Sequence, residues 1–146
     1  MKFRIGIFAA ALWWGSLTTI GFVVVPLLFA NLGTPAVAGA MAAKLFTAQT
    51  WLSIGCTFFL LLASNTKAGA DTVSHFQPAI RFVVAGLLLA LLVEFGVSPR
   101  IVSARADGGN LKLWHGMGTA MYLLQWVCAG VSLWKLTKPS AQAVNG

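Results

Sequence analysis

The sequence predicts an all-α fold: a four-helix transmembrane bundle, up-down-up-down, with both termini on the same side. Two observations carry this. Apolar residues make up 58% of the chain and charged residues 9%, a balance far from that of a soluble domain. Four apolar stretches, residues 5–32, 35–64, 78–98 and 113–134, each supply the roughly 20 helical residues that a hydrocarbon core requires. A chain of 146 residues is one domain's worth, so residues 1–146 read as a single integral membrane domain with a polar tail over 135–146.

The first stretch follows Lys2 and Arg4. Its apolar run is too long for a signal-peptide core and lacks a clear small-x-small cleavage site, so a retained helix is expected. Ala11, Gly15, Thr18, Thr19, Phe22 and Pro26 recur at three- and four-residue spacing, a stripe of mostly small or weakly polar groups that suits helix–helix contact in lipid. Trp13 and Trp14 lie too deep for interface anchors and read as packing or lipid contact, with a ligand wall as the other reading. Pro26 either kinks the helix or marks where it frays.

Thr34-Pro35 is a helix start, with Thr34 as N-cap and Pro35 in the first helical position. Residues 35–64 exceed what the hydrocarbon needs, so their first turns are expected at the interface, with Lys44 snorkelling to water. Leu45, Gln49, Ser53 and Cys56 share an inward face. The segment Asn65–Gln77 reads as a polar loop containing Lys67, Asp71 and His75, and Pro78 is expected to open the third helix, with Arg81 as its interfacial anchor. There Phe82, Gly86, Ala90 and Glu94 fall four apart, forming a small-residue groove that ends at a carboxylate. Ser98-Pro99-Arg100 is expected to end the helix.

Gly108-Gly109-Asn110 then makes a turn. The fourth helix carries His115, Gly118, Thr119, Tyr122, Trp126 and Ala129 on one stripe, flanked by Gln125, with Trp114 and Trp134 as belt residues at its ends. Cys56 and Cys128 read as small apolar packing residues, with Cys128 turned towards lipid. No internal repeat is legible.

Glu94 is the one acid within an apolar run, and a carboxylate at a span centre costs roughly 2.5–3.5 kcal/mol on insertion scales. With the third helix ending at Ser98, Glu94 falls near the level of His115, with Lys44 and Arg100 at neighbouring ends. Glu94, His115, Arg100 and Lys44 are therefore the candidate functional corner. It reads either as an ion pair closing the bundle or as a proton- or cation-handling site. Gln49, Thr18, Thr119, Tyr122 and Gln125 are the candidate polar lining.

Other chemistries lack a pattern. One His and one Glu do not make a transition-metal site, and no nucleophile–base pair, phosphate loop or HExxH is present. No catalytic residue, metal or cofactor is expected. In this topology His75 and His115 lie about 30 Å apart across the hydrocarbon and cannot share one haem within a monomer. A net charge of +7 would suggest nucleic acid on a soluble domain. Here the ten Lys and Arg sit at helix ends and in loops, which suits anionic headgroups instead. Six of them (Lys2, Arg4, Lys67, Arg81, Lys135, Lys138) fall on the side of the termini and four (Lys44, Arg100, Arg105, Lys112) on the other, favouring cytoplasmic termini.

Phe22–Phe29 around Pro26, Lys44-Leu45-Phe46, Pro99-Arg100-Ile101 and Leu113-Trp114-His115-Gly116 resemble the small four-helix membrane proteins related to eukaryotic transmembrane protein 205, known mainly as a domain of unknown function. The family pattern has a hydroxyl residue three after the histidine, where this chain has Gly118. The resemblance implies a four-span bundle in a bacterial inner membrane and carries over no catalytic residues. The function expected from the whole is a non-enzymatic, permease- or export-like bundle in contact with lipid and no nucleic acid, either as a homo-oligomer or within a larger membrane complex. The alternatives are an accessory subunit of such a complex and, behind both, a haem- or metal-binding redox protein.

Overall fold

A computed structural model describes the backbone of residues 2–65 and 70–138, and the side chains of residues 4–64 and 77–138. Lys2, Lys67, Asp71, His75 and the tail beyond Lys138 therefore fall outside the described side chains. The described residues form four helical rods. The first is α1 (Lys2–Thr19), a π turn (Ile20–Val24) and α2 (Val25–Asn31). The second is α3 (Pro35–Asn65). The third is α4 (Ala70–Leu92), a second π turn (Val93–Val97) and α5 (Ser98–Ala106). The last is α6 (Leu111–Thr137).

Three rods, Arg4–Asn31, Pro35–Ser64 and Gln77–Ala106, are long and apolar enough to cross a membrane. α6 has the length, at 27 residues. It is less apolar than the others because it includes His115, Gln125, Ser132 and three tryptophans.

The local starts follow capping chemistry. The Val37 N–H donates to Thr34 Oγ1 at 3.3 Å, as the Thr34-Pro35 start predicts. α6 begins at Leu111 rather than 113, because the Asn110 side chain accepts from the Leu113 N–H at 3.0 Å and caps the first turn.

The third rod departs from its expected limits at both ends. Pro78 lies inside α4, which starts at Ala70. One lost backbone bond so near a helix end can be met by water. At the other end Pro99 does not stop the helix, which runs on to Ala106. A proline ring clashes with the carbonyl four residues back, and here the turn before it has widened. The Ser98 N–H donates to the Val93 carbonyl, five residues back. Pro26 is accommodated in the same way, with the Val25 N–H donating to the Ile20 carbonyl. Pro26 therefore marks a π turn within a continuing helix, not a fray. The two segments, Ile20-Gly21-Phe22-Val23-Val24-Val25-Pro26 and Val93-Glu94-Phe95-Gly96-Val97-Ser98-Pro99, share Phe, Val and Pro at the same places, a local repeat the sequence reading missed.

The core is built by large side chains seated in gaps left by small ones. Ala10, Trp13 and Leu17 are the buried face of α1, while Ala11 and Thr19 of the expected stripe are exposed. Trp13 fills the Gly86 gap of α4, where an added Cβ would collide with the indole ring. The expected groove at Gly86 is thus occupied, and close backbone approach is replaced by a knob in a hole. Cys128 corrects a second expectation. Its Cβ lies 3.5 Å from the Cβ position at Gly86, so it packs towards α4 and is half-buried. On α6 the buried residues are Gln125, Ala129, Ser132 and Leu136; of the expected stripe Ala129 is buried, Gly118, Tyr122 and Trp126 are half-buried, and His115 and Thr119 are exposed.

Candidate functional site

The second π turn presents Glu94. Its carboxylate accepts from the Thr47 hydroxyl on α3, at 3.1 Å to Oε1 and 3.4 Å to Oε2, and the residue is half-buried. Among the described residues no ion pair involves Glu94. The expected cation partners lie elsewhere. Lys44, one turn before Thr47, is exposed, as are Arg100 and His115. The Arg100 guanidinium stacks 4.9 Å from the Trp114 ring centroid.

The geometric reason is the continued helix. Twelve residues separate Glu94 from Ala106, the end of α5, which is about 18 Å at 1.5 Å per residue. His115 is only four residues from the start of α6, about 6 Å. The two therefore stand at different depths, and the four-residue corner does not assemble. Thr47, which does meet Glu94, carried no signal beyond its position one turn from Lys44. π turns of this kind recur at functional sites, and here the widened turn holds the one described acid within an apolar segment.

A second polar group lies in the centre of the bundle. Gln49 Nε2 donates to Ser16 Oγ at 3.0 Å and to Ser53 Oγ at 3.3 Å, and Gln125 Nε2 donates to Ser53 Oγ at 3.1 Å. α1, α3 and α6 are thereby joined through buried amides and hydroxyls. Thr50 and Thr57 extend the buried polar face of α3.

Of the other expected lining residues, Thr18 accepts from Trp126 Nε1 at 2.9 Å. The Tyr122 hydroxyl donates to the Leu17 carbonyl at 2.7 Å. Thr119 is exposed and donates to its own helix at the His115 carbonyl. Ser16 was missed. It lies three residues from Trp13 and Thr19, on the edge of a stripe assigned one position away.

With this geometry in place, comparison supplies the family. Residues 8–110 match the domain of unknown function DUF4149. The chain belongs to that family. No curated protein and no solved structure matches it. The DUF4149 match contains both π turns, both prolines, Thr47 and Glu94, whereas Tyr122 and Gln125 lie beyond it. The Glu94–Thr47 pair is thus internal to the DUF4149 segment, and the central cluster draws one of its four members from outside.

Chemically, the Glu94–Thr47 pair offers two carboxylate oxygens and a hydroxyl oxygen. Among the described residues no three His, Cys, Asp or Glu side chains gather. An all-oxygen set favours hard cations or a proton over thiophilic metals.

Proposed function

We propose that this DUF4149 protein is a non-enzymatic membrane bundle that holds positive charge at Glu94, with Thr47 supplying a further oxygen. One observation carries the reading. A carboxylate within an apolar rod has a hydroxyl as its partner among the described residues, and no cation. Such a charge costs roughly 2.5–3.5 kcal/mol at a span centre, and one hydroxyl offsets about 1.5–3 kcal/mol at best. A bound cation, a proton or a basic group brought by another chain would offset the remainder.

The test is thermal unfolding in lipid nanodiscs at fixed ionic strength, with choline exchanged for sodium, potassium or magnesium, and with pH lowered in a separate arm. Binding to the native state raises its midpoint by mass action. The wild type responds to one of these arms and Glu94→Gln does not. Equal responses of the two proteins, or no response of the wild type in any arm, contradict the reading.

The same proposal takes the rods as four crossings, up-down-up-down, with both termini on the cytoplasmic side of a cell inner membrane. Support comes from the pairings: Gly39 meets Arg105 while Thr47 meets Glu94, and Trp14 meets Gly130 while Gly21 meets Tyr122. In each case rising numbers on one rod face falling numbers on its neighbour. For α6 as the fourth crossing, Lys138 sits 4.6 Å from the Trp134 ring and Arg100 caps Trp114, a belt residue with a cation at each end. Kinship with the transmembrane protein 205 group belongs to the same reading.

A permease- or export-like role would need a route between copies, since Trp13, Leu17, Leu60 and Leu136 fill the centre of one. The alternative of an accessory subunit is favoured by the apolar groove between α1 and α3, lined by Phe8, Leu12, Trp51, Gly55 and Phe59. Gly55 has open space above it and suits close helix approach by another chain.

A further inference from the structure

We propose that the end of the bundle where α4 meets the last turns of α6 binds the headgroup of an acidic phospholipid. Arg81 and Lys135 are its cations, and an exposed apolar lane on α4 receives its acyl chain. The observation behind this is a convergence on one ring. The Arg81 guanidinium stands 5.0 Å and the Lys135 ammonium 5.6 Å from the Phe82 ring centroid. The two cations, one from each helix, therefore lie no further apart than those two distances together, about 11 Å. That is close to the ~8 Å screening length of physiological salt, so they still repel one another. Lys138, three residues past Lys135, adds a third positive charge 4.6 Å from the Trp134 ring.

No carboxylate balances this charge. All three acids of the chain stand along the same rod as Arg81 and well away from it. Asp71, Glu94 and Asp107 are 10, 13 and 26 residues distant, about 15, 20 and 39 Å at 1.5 Å per residue. Among the described residues no ion pair involves Arg81 or Lys135. One phenyl face cannot neutralise two cations that repel each other, and phenylalanine is a weaker partner for a cation than tryptophan. Lys135 and Phe82 are half-buried while Arg81 is exposed, so the pair is partly withdrawn from water yet open on one side. An anion entering there would offset the repulsion. The ring already holds both long side chains, which lowers the ordering cost of binding.

The surroundings select the anion. Arg81 lies near the start of an apolar rod, Gln77–Ala106, at the level where lipid phosphates sit. Basic pockets between spanning helices recognise acidic headgroups. Beyond Arg81, Val84, Leu88 and Leu92 follow at helical spacing and are 38%, 54% and 56% exposed. The lane starts at the cation and runs into the hydrocarbon, as a phosphate with an attached chain requires. The site needs only that the rods lie in a bilayer, and it is separate from Glu94.

The test is native mass spectrometry of the full chain released from nanodiscs of phosphatidylcholine and phosphatidylglycerol in equal parts, with matched acyl chains. The wild type should retain phosphatidylglycerol in preference. Arg81→Gln and Lys135→Gln should each lower that preference about fivefold, the worth of one cation at an anionic surface, and Arg81→Lys should keep it. Arg100→Gln, which removes a cation at the opposite end, and Glu94→Gln should leave it unchanged. Excess glycerol phosphate, which has the headgroup but no chains, should not displace the lipid. Should Lys135→Gln fail to fold, the wild type and the exposed Arg81 position decide. No preference in the wild type, or equal losses in Arg81→Gln and Arg100→Gln, overturns the site. Displacement by glycerol phosphate overturns the lipid as its occupant.

Discussion

The two π turns share a backbone and differ in what they do with it. Each sits just before a proline, and each gives the preceding helix an extra residue so that the rod continues past the ring. At the second position of the turn the first has Gly21 and the second has Glu94. Gly21 leaves a gap that the Tyr122 ring enters, to within 2.6 Å of where a Cβ would stand, and the tyrosine hydroxyl bonds to Leu17 beside the turn. Glu94 instead extends to Thr47 on a different rod. One solution to a proline is thus used for close packing and the other for presenting a carboxylate inside an apolar rod. A turn widened ahead of a proline leaves its second residue free to specialise.

The largest effect should come from filling the packed turn. Gly21→Ala drives a methyl into the Tyr122 ring and should lower stability by about 1–3 kcal/mol. Gly96→Ala in the second turn meets nothing within 4 Å and should be neutral or stabilising by about 0.5–1 kcal/mol through helix propensity. Unfolding of both variants in the same detergent checks this, and equal losses would erase the distinction between the turns.

Tyr122→Phe keeps the ring and removes the bond to Leu17, so a smaller loss of about 0.5–1.5 kcal/mol is expected in the same assay. Thr47→Val acts on the other turn. It should shift stability by about 1 kcal/mol or less while weakening whatever cation response the wild type shows. A stability loss with the response intact would make Thr47 structural only. The smallest effect is expected at the rim, where Trp114→Leu removes the Arg100 stack and should change stability by about 0.5–1 kcal/mol.

These contrasts also mark what could be read from the sequence. The three apolar rods, the Thr34 cap and the inward Gln49/Ser53 face follow from length, capping chemistry and helical period, which act locally. The depth of Glu94 does not. It depends on whether Pro99 ends a helix or widens it, and that choice is made by packing of the whole rod. Reading Pro99 as a stop placed Glu94 beside His115, when it lies about two turns deeper. The fit of Trp13 into the Gly86 gap was illegible for a similar reason, since period alone marks both as apolar without saying which fills the other. The echo between residues 20–26 and 93–99 lies in the sequence itself, but three shared residues in seven do not specify a π turn until the packing of both rods is known.

The Glu94 carboxylate is proposed to exchange positive charge within this bundle. Infrared spectra of the wild type minus Glu94→Gln in nanodiscs isolate its carboxyl bands. Adding the cation or acid that shifts the unfolding midpoint should move those bands, and Thr47→Val should displace them in the resting protein. Glu94 bands that stay fixed under every cation and acid condition, and ignore Thr47→Val, would contradict the account.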